Sequence, residues 1–376
     1  MHRIAVLGAG YAGLPAVNRI ARQTYRDEVE LVLLSTRDRF VERPRLHQLA
    51  AGQSRPDLPL TDFLAPGVRL RIGRVERIAD HALAFAEAPP LPYDTLLYGP
   101  GSTIDVTSVP GVAEHAHTVA DPESALAIAA ALRADERAEV LVCGGGLTGL
   151  ELAAEVAESF PRADVTLVTA GMPGGWLSER AQAYVGASLD ELGVRRVADT
   201  RITRVDEGQV ETADGTRLSF DLCLWAGGFT VPQLATDAGM KVDGRGRMIT
   251  DTTLRSLSDP DVYAIGDAAA VPGHWGDALA MGCRTGGFTG PWAADVVVAR
   301  LRGLPARPFR FRYVHECLSL GRGHAVIQFL NRDGLPVDRT LRGRAATAYK
   351  NVVLDAGRWV GRHPGPFLRP RRRVAL

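Results

Sequence analysis

The sequence predicts an α/β fold with two doubly wound, three-layer units built on parallel sheets and a small α+β unit at the C-terminal end. The two large units are predicted because one pattern, an apolar strand followed by a glycine-rich turn and a helix, occurs at residues 4–22 and again at residues 140–159. Mixed strand and helix signals after Pro305 predict the small unit. A chain of 376 residues is long enough for two or three domains of about 150 residues each.

The first glycine-rich turn follows the strand Ile4 to Leu7 and places glycine at Gly8, Gly10 and Gly13, which fits G-x-G-x-x-G. In this pattern the first glycine makes a tight turn, the second lets the backbone approach a pyrophosphate, and the third lets the helix pack closely on the strand. The free amides at the helix start then bind the phosphates. One such match is weak support, because a tight strand-to-helix turn is often rich in glycine for structural reasons alone.

The second glycine-rich turn follows Val140 to Val142 and places glycine at Gly144, Gly146 and Gly149. Each turn opens an amphipathic helix and each helix leads to a second apolar strand, so the two halves indicate a duplicated βαβ unit. The duplication predicts two dinucleotide sites. The alternative is a degenerate second copy that only supports the fold.

Composition and charge argue against several classes of partner. The chain carries 44 basic and 43 acidic side chains, for a net charge of +1, so no broad positive field favours nucleic acid. Its four cysteines form no C-x-x-C pair, which argues against a dithiol centre and indicates a reducing compartment. No apolar run approaches the roughly 20 residues of a membrane span. We therefore expect a cytoplasmic protein that contacts a membrane at most peripherally, through the basic tail Arg369 to Arg373.

A third motif lies at residues 259–267, where the apolar strand Val262 to Ile265 ends at Gly266 and Asp267. Together with the two glycine-rich turns, this motif resembles the two-dinucleotide-binding flavoproteins of the pyridine nucleotide-disulfide oxidoreductase superfamily. Within that superfamily the chain is similar to the cysteine-free branch of type II NADH dehydrogenases and apoptosis-inducing-factor-like proteins. The resemblance covers residues 1 to about 300 and implies two cofactors, FAD and NAD(P)H. The structural alternative for Asp267 is a cap of the next helix.

The domain order of this superfamily implies three domains in the chain. An FAD-binding domain would consist of residues 1–115 and 245–300, and an NAD(P)-binding domain of residues 116–244 would be inserted between them. Residues 301–376 would form a C-terminal interface domain. Because that domain often forms dimer contacts in the superfamily, a homodimer is a further expectation.

The resemblance also assigns binding residues to both cofactors. Residues expected to contact FAD are Gly8, Gly10, Gly13, Ser35, Val75, Gly266, Asp267 and Met281. The pyrophosphate of NAD(P)H would lie on Gly144, Gly146 and Gly149. Asp267 would accept hydrogen bonds from the ribityl chain, and the backbone of Val75 would meet the adenine. Met281 ends the segment 276–281, which we expect to begin a helix whose positive end faces the flavin.

The candidate catalytic residues are Arg45, His47, Glu151 and Arg284. Residues 39–48 occupy the place where disulfide reductases carry their redox cysteines, and this chain has none there, so the resemblance implies that electrons leave the flavin directly. Arg45 and His47 would polarise a bound acceptor or give it a proton. The alternative is that they only bind phosphate or carboxylates. Glu151 would orient the nicotinamide carboxamide, unless it is a surface helix residue. The chemistry requires no metal ion.

Several positions depart from the family pattern. Ser35 and Thr169 stand where a carboxylate would hold the ribose hydroxyls of each nucleotide, and the segment from Thr169 to Gly171 contains no arginine for a 2′-phosphate. This weakens the signature of a pyridine nucleotide site. Arg284 stands where the quinone motif carries a glutamine. A cation beside the flavin would bind an anionic substrate or stabilise the reduced flavin, whereas a quinone pocket is normally more apolar, so this residue argues against a respiratory quinone. Pro100 lacks the amide hydrogen that another residue would offer beside the flavin.

The leading functional hypothesis is an FAD-dependent oxidoreductase that takes hydride from NAD(P)H and passes electrons to a small organic acceptor such as a quinone. A second hypothesis is a tailoring oxidase or dehydrogenase that acts directly on an organic substrate and keeps a degenerate NAD(P) site. A third, from a different class, is a flavin-loaded protein whose redox state controls partner binding, since binding motifs alone do not establish catalysis.

Overall fold

The first large sheet contains five parallel strands. It belongs to a computed structural model that describes residues 1–365 and 370–374. In spatial order the strands are Val262–Ala264, Thr95–Tyr98, His2–Leu7, Val29–Ser35 and Val68–Ile72. Val6 pairs with Leu33 on one side and with Leu97 on the other, and all three side chains are buried. The apolar character of the central strands follows from burial on both faces, as expected of a parallel sheet.

The second large sheet repeats this arrangement. Its parallel strands are, in spatial order, Arg195–Val197, Asp164–Val168, Glu139–Cys143, Leu222–Trp225 and His117–Thr118. In both sheets the strand before the glycine-rich turn lies at the centre and the strand after the helix lies beside it. The prediction of two Rossmann-like α/β units from a duplicated pattern is therefore confirmed.

Helices cover both sheets, and the predicted ones are present with small shifts of their ends. The helices of the two glycine-rich turns are Gly13–Ala21 and Leu147–Ser159. The others are Leu46–Ala50, Val112–His115, Pro122–Ala134, Glu179–Glu191, Leu234–Asp237, Cys283–Leu301 and Gly343–Arg362. Short 3-10 turns occur at Arg43–Arg45, Leu60–Asp62 and Gly266–Ala268. The start of Pro122–Ala134 is fixed by proline in the first turn and by Asp121, whose carboxylate accepts a hydrogen bond from the Ser124 amide at 2.8 Å.

Smaller sheets and strand pairs, all antiparallel except the last one named below, complete the two units. Three-stranded sheets are formed by Val75–Ala79, Ala82–Phe85 and Leu91–Pro92, and by Ile202–Asp206, Gln209–Thr212 and Arg217–Ser219. The pair Thr103–Ile104 and Phe229–Thr230 joins the chain after one large sheet to the chain after the other. Met248–Ile249 pairs with Ala269–Ala270.

The C-terminal unit is a three-stranded antiparallel sheet with one long helix, so the predicted α+β unit is also confirmed. Its strands are His315–Leu320, His324–Leu330 and Pro336–Arg342. The helix Gly343–Arg362 packs on the middle strand, and the helix Leu147–Ser159 packs on the first one. The C-terminal unit therefore lies directly against the second glycine-turn helix.

One predicted helix start is wrong. The segment 276–281 is not helical, and the helix begins at Cys283. The reason is a tight turn in which the Gly273 amide donates to the Asp277 carbonyl at 2.8 Å, with Gly276 at a φ of +99°. A chain turned back in this way cannot form the first turn of a helix.

Within residues 1–365 and 370–374, no helix has the length and apolar character that crossing a membrane requires. Part of the basic tail is bound to the protein. Arg371 donates to the Ala21 carbonyl at 3.2 Å, and Arg373 contacts Asp27 at 2.6 Å. Arg369, also in the predicted basic tail, lies outside the described residues.

Candidate active site

One continuous cleft of about 1790 Å³ connects the two large units. This volume exceeds the roughly 300–1,000 Å³ of an ordinary small-molecule pocket, so the cleft has room for more than one ligand. Predicted site residues that line it are Gly8, Gly10, Ser35, His47, Val75, Gly144, Gly146, Glu151, Gly266, Asp267, Met281 and Arg284. Gly13, Gly149 and Arg45 do not line it. The fold thus brings residues from both glycine-rich turns and from the strand end at Gly266 to one site.

The first glycine-rich turn is shaped for a ligand. A Cβ atom on Gly8 would lie 2.0 Å from the Gly99 carbonyl oxygen, and Gly8 has a φ of +103°. A Cβ atom on Gly13 would lie 1.8 Å from the Gly8 carbonyl oxygen, which explains why this position touches protein and not the cleft. At Gly10 a Cβ atom would meet no described atom within 4 Å. The turn therefore leaves an open cradle above the second glycine, which suits a pyrophosphate.

The second glycine-rich turn has the same geometry. A Cβ atom on Gly144 would lie 2.6 Å from the Ala226 carbonyl oxygen, and one on Gly149 would lie 1.9 Å from the Gly144 carbonyl oxygen. Gly146 again faces open space. Because the second cradle is as well formed as the first, the residues present fit a nucleotide at each turn.

Asp267 lies in the cleft after the third motif. One carboxylate oxygen, Oδ2, accepts a hydrogen bond from the Ser102 hydroxyl at 2.7 Å, and Oδ1 accepts one from the Gly282 amide at 2.6 Å. An ionised carboxylate has about four acceptor positions, so two remain for a ligand. The contact with Gly282 also ties Asp267 to the start of the helix Cys283–Leu301.

A buried cluster of charged groups lies where three parts of the chain meet. Glu151 comes from the second glycine-turn helix, Ser319 from the strand His315–Leu320, and Lys350 from the helix Gly343–Arg362. Lys350 Nζ donates to Glu151 Oε1 and, at 2.7 Å, to the Ser319 hydroxyl. The Ser319 amide donates to the same Glu151 oxygen at 3.1 Å. Lys350 lines the cleft, and sequence reasoning did not identify it.

The Glu151 carboxyl is the negatively charged group of this cluster. Burial acts to raise the pKa of the Glu151 carboxyl, but the nearby charge of Lys350 and the hydrogen bonds from Lys350 and the Ser319 amide together lower it. Glu151 is therefore ionised at neutral pH and pairs with the Lys350 ammonium. The alternative of a surface helix residue does not hold, because Glu151 is 8% exposed.

His47 extends the cluster from the short helix Leu46–Ala50. Its Nδ1 atom lies 3.5 Å from the Glu151 carboxylate, and its Nε2 atom is buried without a hydrogen-bond partner among the described residues. Burial lowers the pKa of His47 to about 4, although the Glu151 charge opposes this change. The imidazole is therefore neutral at physiological pH.

The two predicted arginines differ in position. Arg284, in the first turn of Cys283–Leu301, donates to the His315 carbonyl at 2.9 Å and pairs with Glu316. Its charge is thus neutralised by a neighbouring carboxylate, which weakens the expectation of a free cation for an anionic substrate. Arg45 lies away from the cleft and contacts Asp355 and Asn351 at 3.2 Å, both on the C-terminal helix.

The ends of the two second strands carry no carboxylate. The Ser35 hydroxyl accepts a hydrogen bond from the Arg37 amide at 3.2 Å, and the Thr169 hydroxyl donates to the Gly171 carbonyl at 2.6 Å. The Thr200 amide donates to the Thr169 carbonyl at 2.9 Å. The fold therefore brings Arg201, which lines the cleft, next to a strand end that has no arginine close in sequence.

Two glycine cradles and the Gly-Asp strand end on one shared cleft define a protein that binds two dinucleotides. Residues 2–282 match the family described as pyridine nucleotide-disulphide oxidoreductase, and the chain belongs to that family. FAD and NAD(P)H are its cofactors, and it is an NAD(P)H-dependent flavoprotein oxidoreductase.

Relatives extend over nearly the whole chain. An NADH dehydrogenase-like protein of Bacillus subtilis is 25% identical over 96% of this chain and 99% of its own length. A demethylphylloquinone reductase of Synechocystis is 26% identical over 87% of both chains. Among solved structures, NDH2 from Plasmodium falciparum in complex with NADH superposes with a TM-score of 0.82 and 16% identity, covering 96% of both chains. At that identity the superposition supports the fold alone.

Proposed function

We propose that the protein transfers reducing equivalents from NAD(P)H to a quinone-type acceptor. The observation that carries this proposal is the single cleft that joins two intact nucleotide cradles to the buried cluster of Glu151, Lys350 and His47. The quinone reductase among the relatives supports the class of acceptor. Neutralisation of Arg284 by Glu316 supports it too, because a cleft without a free cation at this point suits a neutral acceptor.

When bound, FAD accepts hydride from NAD(P)H and passes two electrons to the acceptor. The overall reaction converts NAD(P)H, one proton and a quinone to NAD(P)⁺ and a quinol. The protein therefore has to bind both nucleotides at once and supply one proton to the quinone in addition to the hydride that NAD(P)H provides. Gly8 and Gly10 would hold the pyrophosphate of FAD, and Gly144 and Gly146 that of NAD(P)H. Gly13 and Gly149 would act indirectly, because they let each helix pack closely on its turn.

The other FAD contacts would come from four further cleft positions and from Asp267. Ser35 and Val75 would lie at the adenosine end, and Gly266, Asp267 and Met281 would lie nearer the flavin. We assign these residues to an FAD-binding domain of residues 1–115 and 245–300, with an NAD(P)-binding domain at 116–244 and an interface domain at 301–376.

Lys350 is the group best suited to deliver the proton. Lys350 lines the cleft, and two of the three hydrogens of its ammonium group are engaged by Glu151 and Ser319. The third is free for the carbonyl oxygen of an acceptor. The ionised Glu151 carboxylate holds the ammonium in place, and the neutral His47 ring closes the buried side of the cluster.

Arg45 and Arg284 would position other parts of the site. Arg45 ties the chain beside the cleft to the C-terminal helix through Asp355. Arg284 fixes the wall of the cleft through Glu316, which also accepts a hydrogen bond from the Trp176 indole at 2.7 Å.

Steady-state turnover without oxygen tests the proposal. Purified holoprotein is mixed with NADH or NADPH and a water-soluble short-chain quinone, and quinol formation is compared with free FAD at the same concentration. We expect the nicotinamide to bleach the flavin and the quinone to restore its colour. Bleaching that a quinone fails to reverse would contradict the proposed acceptor. Bleaching by an organic substrate but by neither nicotinamide would support the tailoring oxidase instead.

A further inference from the structure

We infer that the second nucleotide site selects NADPH over NADH, and that Arg201 is the residue that recognises the 2′-phosphate. This inference rests on the proposed use of a nicotinamide donor and specifies its class. The selecting position in this fold is the end of the second strand, about 20 residues after the glycines, where an acid binds the ribose 2′-hydroxyl and an arginine accommodates a 2′-phosphate.

No carboxylate occupies that strand end. Thr169 takes the position, the residue is 2% exposed, and its hydroxyl donates a hydrogen bond to the Gly171 carbonyl. Asp199 lies close in sequence to the adjoining segment but does not line the cleft. A dianionic 2′-phosphate would therefore meet no negative charge here, whereas the ribose hydroxyls of NADH would lack their usual charged acceptor.

Backbone hydrogen bonds place Arg201 beside this strand end. In the first unit the Gly73 amide donates to the Ser35 carbonyl at 2.9 Å, and in the second the Thr200 amide donates to the Thr169 carbonyl at 2.9 Å. The two units therefore have equivalent positions here, with Arg201 corresponding to Arg74. Both arginines line the cleft.

The charge of Arg201 is available to a ligand. Across the described part of the chain, no carboxylate lies within ion-pair distance of its guanidinium and no hydrogen bond engages its side chain. By contrast Arg204, three residues further along the chain, pairs with Asp206 at 2.6 Å. A planar guanidinium with free donors forms paired hydrogen bonds with phosphate oxygens, and such charge-assisted bonds are strong and specific.

The test measures equilibrium binding of NADP⁺ and NAD⁺ to the flavin-loaded holoprotein by calorimetry, which requires no turnover. We expect NADP⁺ to bind at least about tenfold more tightly than NAD⁺, since charge-assisted bonds of this kind discriminate by about that factor or more. Arg201→Gln should remove most of this preference by weakening NADP⁺ alone. Arg204→Gln removes a neighbouring positive charge from the same segment and should keep it.

Each other outcome has a distinct meaning. Equal or tighter binding of NAD⁺ to the wild-type protein would overturn the inference. So would an Arg201→Gln variant that loses affinity for both nucleotides equally, because that result would indicate stacking on the adenine. Preference for NADP⁺ without quinone turnover would leave the inference standing and contradict the proposed function. Binding of neither nucleotide would contradict both.

Discussion

The Lys350 ammonium group and the Glu151 carboxylate form a buried ion pair between the C-terminal helix and the second glycine-turn helix. Lys350 is 7% exposed and Glu151 is 8% exposed. The Ser319 hydroxyl and amide satisfy further hydrogen-bonding positions of the pair. Such a pair is a weak source of net stability, but removing one partner leaves an uncompensated buried charge. The C-terminal unit is thus coupled to the nucleotide-binding unit through two residues at the cleft.

Replacing Lys350 tests this coupling. We expect Lys350→Met to lower the free energy of unfolding by about 3–5 kcal/mol, because Glu151 would stay buried without its cation. The double variant Glu151→Gln/Lys350→Met should be more stable than Lys350→Met alone, since it leaves no isolated charge. Urea unfolding of the wild-type protein, Lys350→Met, Glu151→Gln and the double variant measures the coupling energy between the two side chains. Additive losses of stability would contradict a direct interaction between the two side chains.

Lys350→Met should also affect the two half-reactions differently, namely reduction of the flavin by NAD(P)H and reduction of the quinone. If Lys350 supplies the proton to the acceptor, Lys350→Met should slow quinone reduction by about a hundredfold, as is typical for loss of a general acid. Reduction of the flavin by NAD(P)H should change far less. Stopped-flow measurement of each half-reaction distinguishes them. Equal slowing of both would indicate that Lys350 only maintains the shape of the cleft.

The raised pKa of the buried Glu155 carboxyl should make the stability of the protein depend on pH. Glu155 lies one turn after Glu151 on the same helix, is 1% exposed and accepts a hydrogen bond from Gln53. Burial and the charge of Glu158 raise the pKa of Glu155 from 4.5 to about 7. The folded protein therefore binds this proton more tightly than the unfolded chain does. Stability from this group is complete below pH 4.5 and is lost as the pH rises through about 7.

Glu155→Gln should remove this loss. At pH 8 the variant should unfold with a free energy about 3 kcal/mol higher than the wild-type protein, because the pKa rises from 4.5 to about 7 and one pKa unit corresponds to about 1.4 kcal/mol. At pH 4 the two proteins should be nearly equal. Urea unfolding across this range measures both, and Glu114→Gln, an exposed residue, controls for the lost charge. Parallel pH profiles for the Glu155→Gln variant and the wild-type protein would contradict the raised pKa.

The sequence predicted those parts of the protein that depend on neighbouring residues. A strand, three glycines and a helix are adjacent in the chain, so the local pattern at Gly8 to Gly13 was enough to predict the turn and its helix. The repetition of this pattern at Gly144 predicted the second unit. The strand end at Asp267 was found for the same reason.

Contacts between distant segments could not be predicted in this way. Lys350 meets Glu151 across 199 residues, and no local pattern identifies this lysine among the basic residues of its helix. Arg201 lies near the strand end at Thr169 because the Thr200 amide donates to the Thr169 carbonyl, and this hydrogen bond joins segments 31 residues apart. The start of the helix at Cys283 depends on the turn between Gly273 and Asp277, which the glycine spacing alone did not reveal.

The glycine-rich turns predict opposite effects for two similar substitutions. Gly146 faces open space, whereas a Cβ atom on Gly149 would lie 1.9 Å from the Gly144 carbonyl oxygen. Gly149→Ala should therefore destabilise the fold by about 1–3 kcal/mol or more, as overpacking does. Gly146→Ala should leave unfolding unchanged but place a methyl group in the nucleotide cradle.

The functional result for Gly146→Ala should be selective. This variant should retain its flavin spectrum and lose affinity for NADP⁺ and NAD⁺ together, because its methyl group occupies the second cradle only. Gly10→Ala is the equivalent change in the first cradle. Without flavin, this variant should be as stable as the flavin-free wild-type protein, but it should retain less FAD through purification. Absorbance measures bound flavin, and calorimetry measures nucleotide affinity. If Gly146→Ala released flavin while Gly10→Ala spared it, the assignment of FAD to the first turn would be reversed.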